Sequence, residues 1–225
     1  MLRSRSNRWT MVLTAAAIGA LAATLVGPAT ANHQPANKIA VAGSGLESMQ
    51  VALVEGSTSE EISLMSSTLR SSNPTDLIFE VTAECALFTD VIIRTPAEAG
   101  GTDSSEAVAT VKVWVEIDGQ PVAVATDDTG EEAGKVVFCN RAQYSRVTIG
   151  PDDDDEDDHE FEQYIRSKTA NAFNWIALNV GSGIHQIEVK AQLEASVTGA
   201  GAAEAFVGKR TLVVQPEKLA NDATI

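Results

Sequence analysis

From Ile187 to Val197 the chain alternates without a fault. Ile187, Val189, Ala191, Leu193, Ala195 and Val197 are apolar, and Glu188, Lys190, Gln192, Glu194 and Ser196 between them are polar. Period-two patterning of this length demands a strand with one buried and one wet face, the signature of an antiparallel sheet. Val111, Val113, Val115 and Ile117 repeat it against Lys112, Trp114, Glu116 and Asp118, and the run ends in Asp118-Gly119, a type I′ turn signal, before Val122-Ala123-Val124. The same reading predicts strands over Asp76–Ala83, Leu87–Arg94, Lys135–Asn140, Tyr144–Ile149, Ala172–Val180 and Ala205–Val214. Gly181-Ser182-Gly183 reads as a tight turn between the Ala172 strand and the Ile187 strand.

Eight or more short strands with scarcely a helix signal predict an all-β, antiparallel β-sandwich, of jelly-roll or immunoglobulin-like connectivity. One segment pulls two ways. Ser57 with Glu60, and Thr58 with Glu61, match a capping box, and Ile62, Met65 and Leu69 share a helical face. Ser66, Ser67 and Thr68 are poor helix interior, and Asn73-Pro74 marks a turn, so a strand is expected there.

The N-terminus carries Arg3, Arg5 and Arg8, then an apolar run from Met11 to Val26, then Pro28 and Ala29-Thr30-Ala31. Charged, apolar and A-x-A segments in that order predict a cleaved signal peptide over residues 1–31. The apolar run of about 16 residues is short for a membrane span, which needs about 20. A flexible leader is expected over 32–48, a single sandwich domain over 49–215 and a polar tail over 216–225. The expected location of the mature chain is extracellular, with no membrane insertion after cleavage.

Charge narrows the partners. The formal net charge is −15, and loss of the three arginines with the signal takes it to −18. Such a surface repels phosphate backbones and anionic lipid heads, so nucleic acid is not an expected partner. Cys85 and Cys139, both inside apolar strand-like runs, are expected to form a disulfide in an oxidising compartment. Closing a loop of about 54 residues would stabilise by roughly 4 kcal/mol in the chain-entropy picture.

The acidity is concentrated. Asp152, Asp153, Asp154, Asp155, Glu156, Asp157, Asp158, His159 and Glu160 form one unbroken run. A divalent cation, most naturally calcium with its flexible shell of oxygens, is the candidate ligand. Adjacent side chains point in different directions, however, and the run lacks the spaced ligands and internal Gly of known calcium loops, so the rival reading is a solvated, self-repelling loop. A second acidic loop holds Asp127, Asp128, Glu131 and Glu132. Were Asn140–Gln143 a hairpin turn, the two loops would share one rim. A single strand over Lys135–Ile149 would put them at opposite ends. Ordinary strand lengths of about 5–6 residues favour the hairpin.

Catalytic signals are thin. There is no G-x-S-x-G elbow, and His159-Glu160 lacks the second His of a zincin helix. His185, at a strand start, reads as structural, although an acid and a Ser could join it in the fold. The glycine pairs open no helix, so nucleotide binding finds no support. Phe173 and Trp175 lie in a stretch apolar on both faces and are expected in the core. Trp114, on a wet stripe, is the surface candidate for stacking on a sugar ring or a protein partner, unless a neighbouring loop covers it. The expected function is that of a secreted, non-catalytic binding or structural module at or outside the cell surface. Self-association and a protein or glycan partner are both compatible with it. The alternatives are a calcium-stabilised adhesin-like domain and a secreted hydrolase with a dispersed site.

Overall fold

Strands form where the alternation lies, and they run further than expected. The computed structural model describes residues 40–44, 57–58, 61–94, 101–125, 128–148 and 160–219. The predicted signal peptide, Asp127 and the acidic run from Asp152 to His159 lie outside the described residues. Among the described residues there are ten strands: β1 (Ala40–Ser44), β2 (Ser57–Thr58), β3 (Ile62–Ser71), β4 (Thr75–Arg94), β5 (Thr102–Ile117), β6 (Gln120–Pro121), β7 (Val136–Thr148), β8 (Glu160–Val180), β9 (Gly183–Thr198) and β10 (Ala200–Glu217). Among the described residues no helix is long and apolar enough to cross a membrane.

Two expectations about strand limits are corrected. Asp76–Ala83 and Leu87–Arg94 are one strand, because the buried parity continues through Ala83, Cys85 and Leu87 with no turn-forming residue between. Lys135–Asn140 and Tyr144–Ile149 also merge. The register of β7 on β5 runs from Val136↔Val113 to Thr148↔Thr102, broken by a single shift between Val111 and Lys112. Asn140-Arg141-Ala142-Gln143 contains no Gly or Pro, and with β5 alongside to pair each residue the chain has no reason to turn. Ala40–Ser44, inside the expected leader, form β1. The ambiguous segment at Ile62–Ser71 is the strand β3, paired with β9.

The strands make two antiparallel sheets. The first has the order β1-β10-β4-β8; in the second β3, β9, β5 and β7 are neighbours, with β2 beside β9 and β6 beside β5. Counting only the eight long strands, first pairs with last, second with seventh, third with sixth and fourth with fifth. The chain is thus one nested set of hairpins folded over so that β10 meets β4 and β9 meets β5.

The inner faces meet in a continuous apolar core. From β9 it takes Ile187, Val189, Ala191, Leu193, Ala195 and Val197, the residues the alternation named, and from β4 Leu77, Phe79, Val81, Ala83, Leu87 and Val91. Cys85 of β4 and Cys139 of β7 are disulfide-bonded across the two sheets, with Cα atoms 6.5 Å apart, inside the range such bridges require. The bond fits an oxidising environment. Asp118 and Gly119 have φ of 53° and 80°, as the I′ turn demands.

Candidate functional site

The outer face of the first sheet is where side chains of different chemistry converge. Cross-strand register sets Ala202 of β10, Asp90 of β4 and Tyr164 of β8 in one row, and Glu204, Phe88 and Arg166 in the next. A third row holds Phe206, Ala86 and Lys168. Small Ala202 beside bulky Phe88 and Tyr164 leaves a recess of about 330 Å³. Its lining is Phe88, Asp90, Tyr164, Arg166, Ala202, Ala203 and Glu204. That volume is at the lower end of small-ligand sites.

Arg166 organises the walls. Its guanidinium carbon lies 4.7 Å from the Phe88 ring centre and 5.7 Å from that of Tyr164, and it donates to the Tyr164 hydroxyl at 3.1 Å. Cation–π attraction to two rings holds these side chains together. Phe206 supports Phe88 edge-on at 5.1 Å. Asp90 Oδ1, at the floor, is shielded from solvent and finds no hydrogen-bond partner among the described residues. An unsatisfied carboxylate oxygen is costly, and a ligand hydroxyl or amine would relieve it.

Trp114 sits on the outer face of the second sheet as its alternation required, but only 2 % of it is exposed. Lys135 lies 4.8 Å from the ring centre and the indole nitrogen donates to Glu116 at 3.0 Å. The ring is therefore not offered to a ligand. Around it runs a charge ladder: Lys112 bonds Glu194 at 2.9 Å and Glu132 at 3.0 Å, and Lys190 bonds Glu116 at 2.9 Å. The carboxylates hold both ammonium groups above their ordinary range, through the bonds that Lys112 donates to Glu194 and Glu132 and Lys190 to Glu116. Trp175 is buried as expected, while Phe173 is 38 % exposed, because β8 is an edge strand rather than a central one.

The hairpin expected at Asn140–Gln143 is absent, since β7 runs unbroken from Val136 to Thr148, and the acidic run Asp152–His159 lies outside the described residues. Within the first loop, Asp128 Oδ2 accepts from the backbone N–H groups of Val124 at 3.0 Å and Gly134 at 2.6 Å, acting as a loop brace. Glu132 faces Lys112 and Lys135, Glu131 is exposed, and Glu160 pairs with Arg94 at 3.1 Å. Among the described residues no three His, Cys, Asp or Glu side chains converge as a metal site would need.

His185 does meet an acid. Its Nδ1 lies 2.8 Å from Asp118 Oδ2, but its Nε2 faces the Gly181 carbonyl at 2.9 Å. Ser71 Oγ donates to that same carbonyl at 2.7 Å, so the three groups brace a turn rather than relay a proton to a nucleophile.

The residues of the recess went unnoticed in the sequence. Their one local signal is Tyr164 and Arg166 on a stripe with no apolar alternation; Phe88, Asp90, Ala202 and Glu204 join them only through register. Compared with known proteins, the chain matches no family model and no curated protein.

Proposed function

We propose that the chain is a secreted, non-catalytic binding module acting at or outside the cell surface, and that it takes a neutral sugar ring of a glycan in the recess of Phe88, Asp90, Tyr164 and Arg166. The observation that carries this reading is the pairing of a half-exposed aromatic ring, Tyr164, with the unpartnered Asp90 oxygen beside it. A sugar presents an apolar C–H face that packs on an aromatic ring and hydroxyls that donate to carboxylates. Arg166 supplies the complementary donors. Asp90 and Glu204 outnumber Arg166, so an anionic ligand would be repelled.

Export is supported by the N-terminal order of charge, apolar run and A-x-A, and by the inter-sheet disulfide. Of the two connectivities expected, the nested strand pairing supports the jelly roll, an architecture that also hosts lectin domains; that likeness is an analogy of fold alone. The calcium-stabilised alternative draws no support from β7, which runs unbroken through Asn140–Gln143. The hydrolase alternative draws no support from His185, whose second nitrogen is spent on a carbonyl.

Titration of the mature protein with a panel of neutral oligosaccharides tests the reading. Binding is expected, and Tyr164→Ala and Arg166→Ala should each weaken it about tenfold, a loss of about 1.4 kcal/mol, while the melting temperature stays within a few degrees. Absence of binding across the panel, or binding indifferent to both substitutions, would discard the recess as a sugar site. N-terminal sequencing of the exported chain should begin at Asn32; an uncleaved terminus would discard the secretion route.

A further inference from the structure

We infer that β8 pairs edge to edge with β8 of a second copy of this chain, about a twofold axis through Tyr164. β8 closes one side of the first sheet, so one whole edge of its 21 residues has no strand beside it among the described residues. It contains neither Gly nor Pro, and its residues from Glu160 to Tyr164 are all exposed. Long free edges are templates for pairing, and proteins normally blunt them with bulges, prolines or unmatched charge; the one irregularity of β8 among the described residues lies at its far end, where its register on β4 shifts between Ala177 and Val180. Here the charges instead match.

Along the outer face β8 reads Glu160, Glu162, Tyr164, Arg166, Lys168. Acids precede the tyrosine and bases follow it at equal spacing. Antiparallel pairing centred on Tyr164 sets Glu160 of each copy opposite Lys168 of the other, and Glu162 opposite Arg166. Every charged pair in this register is of opposite sign, and each occurs twice by symmetry. The paired stretch from Glu160 to Lys168 is itself neutral, two acids against two bases. Glu160 and Lys168 already have partners on β4, Arg94 and Glu84, yet their side chains remain 55 % and 61 % exposed and reachable from the free edge.

A second observation marks the same flank. Of the six large apolar side chains left exposed among the described residues, five lie on β7 or β8: Val137, Tyr144, Phe161, Tyr164 and Phe173. These two strands are the matching edges of the two sheets, bridged by Gln143 to Gln163 at 3.0 Å and by Arg141 to Ser167 at 3.2 Å. The exposed apolar side chains are thus concentrated on the strands that edge the two sheets on this flank, although they do not all share one face. In the pair, the first sheets of two copies would form one continuous sheet, with their two recesses side by side across the axis. The pairing stands independently of what the recess takes.

Light scattering on the mature, disulfide-bonded protein at micromolar concentrations reads the outcome. A dimer is expected. Glu162→Arg should weaken it about tenfold by facing Arg166 across the axis, and Glu162→Arg with Arg166→Glu should restore it. Tyr164→Cys should form an intermolecular disulfide under mild oxidation, because the two Cβ atoms would lie about 5 Å apart. Lys168→Cys, about 13 Å along the strand from the axis, should not. A monomer throughout the concentration range, or a dimer indifferent to the charge reversal and uncrosslinked through Tyr164→Cys, would overturn the proposal. Sugar binding can survive either result, so the two proposals fail separately.

Discussion

Asp118 lies 2.8 Å from His185 Nδ1, on the far side of the ring from the Gly181 carbonyl that faces Nε2. Both partners are acceptors, so the setting favours the imidazolium, which donates from both nitrogens. Burial works against the charge, but the bonds to Asp118 and to the Gly181 carbonyl outweigh it and raise the imidazole above its ordinary range. Asp118 is held low, chiefly by the same bond from His185. A raised histidine stabilises the fold fully below its unfolded value of about 6.5, and that stability is lost as pH rises through the folded value. The melting temperature is expected to fall as pH climbs from 6 to 9, by about 1 kcal/mol or less in stability terms. His185→Gln should flatten that window.

Trp175 donates from its indole nitrogen to the Gly134 carbonyl at 2.8 Å, tying β8 to the loop that precedes β7. Gly134 has φ of 73°, and a Cβ there would meet the Val122 carbonyl oxygen at 2.4 Å. Gly134→Ala is therefore expected to cost about 2 kcal/mol or more in denaturant unfolding, through both clash and strain. Trp175→Phe should cost about 1–3 kcal/mol, from the carbonyl left unpaired and the smaller ring.

Replacing Cys85 and Cys139 together by Ala should lower stability by about 2–4 kcal/mol, read as a shift in the denaturant midpoint. The bridge joins one strand of each sheet, so its loss should also raise amide exchange in β7 and β8, which share this flank. Exchange unchanged in both strands would contradict this.

The inward half of the fold was legible because burial imposes a parity that sequence records directly. Ile187 to Val197, the Asp118-Gly119 turn and the disulfide partners all follow from local pattern. Strand length was not legible. It depends on whether a neighbour offers hydrogen bonds, and Asn140–Gln143 extends because β5 lies alongside. The edge position of β8 was equally hidden, which is why Phe173 looks like core and is not. Trp114 is covered by residues some 20 positions away. The recess is assembled from three strands whose outer faces carry no periodic signal, so only register brings Asp90, Tyr164 and Ala202 together.

The unbroken course of β7 from Val136 to Thr148 predicts additivity. Replacing Asp152–Asp158 by Ser, and replacing Asp128 with Glu132 by Ala, should change the calcium dependence of the melting temperature independently. A shared cation site would make the second replacement redundant after the first, which thermal melts at graded calcium would reveal. Apart from calcium, Asp128→Ala alone should cost about 1–2 kcal/mol by freeing the Val124 and Gly134 amides.

The nested pairing also governs when this protein is able to fold. Among the described residues β1 pairs with Arg210 to Val214 alone, and β4 sits between β8 and β10, so most pairings join residues far apart in the chain. Neither sheet can close until β9 and β10 have been synthesised, which makes folding slow and late. A nascent chain of this topology stays threadable for as long as its last strands are missing. Delay of this kind would suit the export proposed above, and the strand order alone supplies it.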